Sequence, residues 1–124
     1  MDKGLKSKIF KLQQFIQKTY SDIKTACNVA INQDNNSKYL ISLGFLNKSY
    51  MTYIEAERFY REHAELKSVE FDNFFKAYDN LEDELKGIIL KEDKNTSWLQ
   101  CRLDQLRQEI NKINDLIKVL QNVR

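Results

Sequence analysis

A chain of 124 residues with no proline, three glycines and 42% hydrophobic residues has too few turn formers for a β-rich or loop-rich fold, and too much apolar content to be disordered. A net charge of +2 and a pI of about 8.5 are too mild for a nucleic-acid binder, which concentrates basic charge on one face. No stretch has the apolar length of a signal peptide or a membrane span, and Cys27 and Cys101 lie too far apart in sequence for a metal knuckle or redox pair. These features describe a single cytoplasmic helical domain with free thiols. The excess of Lys over Arg, with frequent Asn and Ile, points to an AT-rich genome, bacterial or phage.

Helix 1 is predicted over residues 5–32. Leu5, Ile9, Leu12, Ile16, Thr19, Ile23, Ala26 and Ala30 recur at alternating steps of four and three, the spacing of a coiled-coil seam. Phe15 and Val29 widen that stripe. Lys3, Lys11, Lys18 and Lys24 fall near the opposite face, as a solvated surface does, while Phe10 and Ile31 sit off the seam as contact points for a partner.

Gln33-Asp34-Asn35-Asn36 breaks the pattern with polar, capping residue types. Helix 2 is predicted over 37–66, with a seam of Tyr39, Leu43, Leu46, Tyr50, Tyr53, Glu57, Tyr60 and Ala64. Leu40, Ile41 and Phe45 add apolar surface elsewhere, so the helix is apolar nearly all round. Such a helix is either central to a bundle or part of an interface. Gly44, costly inside a helix by about 1 kcal/mol relative to Ala, is expected where another helix comes close.

Ser68 is placed to cap helix 3, predicted over 69–90, with Glu70 and Asp72 in the first turn where the helix dipole favours acids. Its seam is Phe71, Phe74, Tyr78, Leu81, Leu85 and Ile88, and Asp79, Glu82, Asp83 and Glu84 are assigned to an outer acidic face. Ten of the fourteen aromatic residues lie between Tyr39 and Tyr78, so helices 2 and 3 hold the bulky half of the core.

After a polar loop at 91–96, Ser97 and Gln100 read as a capping box that opens helix 4, predicted over 97–123. Leu99, Leu103, Leu106, Ile110, Ile113, Ile117 and Leu120 form an uninterrupted heptad seam between polar flanks. A narrow seam of this kind suits a coiled-coil strand, so helix 4 is expected to overhang the bundle or to pair with its own copy.

The inventory for catalysis is thin. There is one histidine, no Glu three residues before it as in di-iron bundles, and no glycine-rich phosphate loop. His63 with Lys67 falls one residue off the His-Lys spacing of histidine phosphotransfer domains, which turns the lysine away by about 100°. Arg58-Phe59-Tyr60-Arg61-Glu62-His63 resembles the Arg-x4-His signature of the HEPN ribonuclease families, all-α domains in which the two side chains act on an RNA phosphate; that resemblance covers six residues.

The pattern as a whole predicts an all-α fold, a four-helix antiparallel bundle in up-down-up-down order with coiled-coil-like packing, since short connections force antiparallel neighbours. The function expected is a non-enzymatic protein–protein interaction module: an adaptor, an assembly or secretion partner, or a phage-type inhibitor, with no cofactor and no metal site. Its expected contact faces are the helix 4 seam, which also serves a homodimer, and the aromatic face of helix 2, Tyr50, Tyr53 and Tyr60. The alternatives are an RNA-acting domain using Arg58 and His63, and a nucleic-acid adaptor using the lysines of helix 1.

Overall fold

The computed structural model describes residues 3–122. Four helices, α1 (Lys3–Asn32), α2 (Lys38–Glu62), α3 (Val69–Lys91) and α4 (Ser97–Asn122), are joined by short connections, with one 3-10 turn at Ala64–Leu66 between α2 and α3. Among the described residues there is no strand, and no helix is long and apolar enough to cross a membrane.

Three of the four helices, α1, α3 and α4, have bounds within two residues of those read from the sequence. Ser68 is extended and its Oγ accepts the Phe71 N–H at 3.2 Å, the expected cap. α3 ends at Lys91, and the left-handed Glu92 that follows (φ 47) turns the chain so that the Asp93 N–H reaches the Ile88 carbonyl at 3.0 Å. Helix 2 stops sooner than predicted. The helix ends at Glu62 because His63 leaves helical geometry (φ −125, ψ 81), and the following 3-10 turn drops Leu66 into the core. The start of α4 also differs from the capping box. Ser97 N–H donates to Asn95 Oδ1 at 3.1 Å, and Asn95 N–H in turn to Asp93 Oδ1 at 2.9 Å, so an Asx-turn relay from the loop satisfies these donors.

Side-chain contacts fix the register of the pairs. Ser42 Oγ donates to the Ala26 carbonyl and Ser49 Oγ to the Thr19 carbonyl, both at 2.8 Å, so seven residues up α2 match seven down α1. Between α2 and α3, Tyr53 hydroxyl donates to Asp79 Oδ1 at 2.7 Å and Tyr60 hydroxyl to Asp72 Oδ1 at 2.8 Å, again seven against seven. Gln13 Nε2 reaches Asn114 Oδ1 at 3.3 Å where α1 meets α4. α3 and α4 flank shared hollows at Lys76 with Gln108 and, further along, at Glu84 with Arg102. In each of these pairs the chain directions are opposed.

Two seams differ from expectation. On α2 the buried positions are Tyr39, Ser42, Leu46, Ser49, Tyr53, Ala56 and Tyr60, whereas Leu43 and Glu57 are only partly covered and Tyr50 is exposed. Small residues take every second rung of this inner ladder. They let α2 lie close against α1, and each serine hydroxyl finds a backbone carbonyl across the gap, which removes the cost of burying it. On α4 the whole run Leu99, Leu103, Leu106, Ile110, Ile113 and Ile117 is buried in the chain's own core, with Leu120 partly covered against it. α4 therefore does not overhang. Its seam is matched by the Phe71, Phe74, Tyr78, Leu81, Leu85 and Ile88 seam of α3, and each such side chain gains about 1.5–3 kcal/mol from leaving water.

Candidate interaction face

The two faces of α2 carry different chemistry at the same spacing. Opposite the buried ladder, Leu40, Gly44, Asn47, Met51 and Ile54 step by four and three along the outside of the helix, and all five are exposed. Leu40 is 75% exposed, Met51 71%, Ile54 45% and Tyr50, beside them, 40%. Ile41 adds a further exposed apolar side chain at the N-terminal end. The one charged residue exposed between Leu40 and Ile54 is Lys48, directed toward Asp22 of α1 at 3.8 Å. By contrast, the single large apolar side chain exposed on α1 among the described residues is Phe10.

Gly44 sits in the middle of this outer ladder. A Cβ built there meets nothing within 4 Å, so the close helix approach expected at this glycine does not occur within the chain. Having no side chain, the glycine is instead a notch in the ladder between Leu40 and Asn47. Such an uncharged, notched four-three ladder, with Leu40, Met51 and Ile54 on its apolar rungs, presents to solvent what a coiled-coil strand presents to its mate.

Next to it, α3 shows a charged ladder at the same spacing: Asp72, Lys76, Asp79, Asp83, Lys86 and Leu90, all exposed. Its contacts turn it to the α2 side, since Asp72 and Asp79 accept the Tyr60 and Tyr53 hydroxyls and Lys86 Nζ lies 5.4 Å from the Tyr50 ring centroid. Lys86 also pairs at 3.1 Å with Glu82. Glu82 itself is buried, not part of the outer acidic face; burial pushes its carboxyl above the usual range, opposed by the Lys86 ammonium.

The tyrosines assigned to an aromatic contact face divide in two. Tyr53 and Tyr60 are core residues whose hydroxyls reach the rim, and only Tyr50 is exposed. Tyr53 stacks on Tyr78 at a centroid distance of 4.1 Å. Ser49 has a single hydroxyl proton, given to Thr19, so the 3.0 Å contact with Tyr78 is donated by the tyrosine. Tyr60 closes the α2–α3 connection, accepting the Ser68 N–H at 2.9 Å while donating to Asp72. Burial, reinforced by the Asp72 carboxylate and opposed by the hydrogen bond to Ser68, pushes the Tyr60 phenol up to about 12. Burial raises the Tyr53 and Tyr78 phenols further.

The remaining residues singled out from sequence are engaged locally. Arg58 Nη2 pairs with Glu55 one turn back. His63 Nδ1 lies 2.8 Å from the Phe59 carbonyl, with its ring 4.3 Å from the Phe59 ring. On α1, Lys11 lies over the Phe59 ring and Lys24 over Tyr20, while Lys3 and Lys18 are exposed. Cys27 is buried and its thiol is pushed up to about 12 by burial, whereas Cys101 is exposed; both are free.

The outer ladder was half legible. Leu40 and Ile41 stand out in sequence as surplus apolar surface, but Asn47, Met51 and Ile54 do not, because the tyrosine-containing seam draws the register one position away. The signal that separates the two is the seven-residue repeat of small residues, Ser42, Ser49 and Ala56, which marks the inner face. The chain matches no protein-family model, no curated protein and no solved structure.

Proposed function

We propose that the protein is a non-enzymatic protein–protein interaction module that recognises another helix through the outer face of α2. The observation that carries this reading is the exposed ladder Leu40, Gly44, Asn47, Met51 and Ile54, with Tyr50 at its edge and no charge on the ladder itself. Single exposed apolar residues are ordinary, but Leu40, Met51 and Ile54 in register over four turns of one helix, with Tyr50 beside them, mark a contact surface. The face assigned from sequence to helix 4 is replaced in this role, because its leucines and isoleucines already pack on α3. The bundle then acts as a scaffold: its inner ladders hold α2 rigid, so docking costs little ordering entropy.

Photo-crosslinking tests this in the cells that make the protein. A benzophenone amino acid at Met51 is expected to trap a protein neighbour, and one at Gln17, on the polar outside of α1, is expected to trap none. Equal labelling from both positions, or none from Met51, refutes the reading.

A further inference from the structure

The face built by the two outer ladders has an order that selects its occupant. The register set by Tyr53–Asp79 and Tyr60–Asp72 puts Asn47 level with the point on α3 between Asp83 and Lys86. About that point part of the face is its own complement, although Asp79 falls opposite Leu90. Along α2, Leu40 mirrors Ile54, and Gly44, the notch, mirrors the exposed ring of Tyr50. Along α3, an acid lies on one side and a cation on the other, Asp83 mirroring Lys86. Asp83 has no ion-pair partner among the described residues, and Lys86 has a donor to spare beyond its bond to Glu82.

We infer that the occupant is a second copy of this chain, docked antiparallel about a two-fold axis that crosses the face at Asn47. This rests on the α2 reading above and names its partner. In the pair, Tyr50 of each copy seats over Gly44 of the other, the Asn47 amides meet at the axis, and Asp83 of each copy faces Lys86 of the other. A parallel copy would instead set glycine against glycine and leave the notch empty. A lone foreign helix laid on α2 would cover half of the face and leave Asp83 without an ion-pair partner. The ladder from Leu40 to Ile54 is about 22 Å long, and two helices side by side are about 20 Å across, giving a projected area of about 450 Å². Stable pairs bury about 800 Å² each, so the association is weak and concentration-dependent.

Sedimentation equilibrium on the full chain tests this. The mass is expected to rise from 14.8 kDa toward twice that value between micromolar and millimolar protein. Met51→Glu, at an exposed site where the circular dichroism should stay unchanged, and Gly44→Leu, which fills the notch, should each weaken association at least tenfold. In a Cys101→Ala background, a mixture of Leu40→Cys and Ile54→Cys chains should oxidise to the mixed disulfide in preference to either homodimer. A mass that stays at 14.8 kDa, association that survives Met51→Glu, or self-linking Leu40→Cys chains would each overturn the inference. A monomer whose Met51 probe still traps a different protein leaves the interaction reading standing without the second copy. A monomer that traps nothing ends both.

Discussion

Inner and outer ladders of α2 share a spacing and part company in what occupies the rungs. Inside, Ser42, Ser49 and Ala56 alternate with Tyr39, Leu46, Tyr53 and Tyr60, so close approach to α1 and bulky packing toward α3 come from the same helix. Outside, Leu40, Met51 and Ile54 are exposed around a glycine at which an added Cβ would meet no atom within 4 Å. The inner face is therefore selected by volume and by hydrogen bonds that must be satisfied. The outer face answers to neither, and its composition needs another cause.

Substitutions separate the two faces by size of effect. Leu46→Ala, which empties a site within the core, should destabilise by about 2–5 kcal/mol in urea unfolding. Ser49→Ala is smaller: the Tyr78 hydroxyl loses its acceptor in the core, at a cost of about 1–3 kcal/mol. If Ser49→Ala is silent, the polar rungs of the inner ladder do not hold the register.

Tyr60→Phe probes the α2–α3 join through pH. The phenol is raised from 10.0 to about 12 in the fold, so between those values the unfolded chain gives up its proton first and stability falls as pH rises. Below pH 10 the contribution is fully present. The variant should therefore show a shallower loss of Tm across that alkaline window than the parent, and an identical slope would mean that Tyr60 ionises freely.

On the outer ladder the sign reverses. Gly44→Ala should stabilise the fold by about 0.4–1 kcal/mol, since the new methyl meets no atom within 4 Å and the helix loses its most flexible residue. The same substitution narrows the notch. A variant more stable yet weaker in association would separate what glycine does for the bundle from what it does for a partner; a destabilised Gly44→Ala would show that the notch is occupied from within.

Composition and the four-three repeats were enough to read four helices, the Ser68 cap and the seams of α1, α3 and α4, because large apolar residues dominate those seams (with Thr19, Ala26 and Ala30 filling rungs of α1) and no alternative register buries as many. Two matters needed the tertiary structure. Which way α2 faces depends on its neighbours, since a helix apolar on both sides can bury either, and the close fit of Ser42 and Ser49 against the α1 backbone decided it. Whether α4 pairs within the chain or beyond it depends on whether α3 supplies a matching stripe at reach, and it does. Local sequence sets the spacing of the rungs; only packing tells which ladder is already leaning on something.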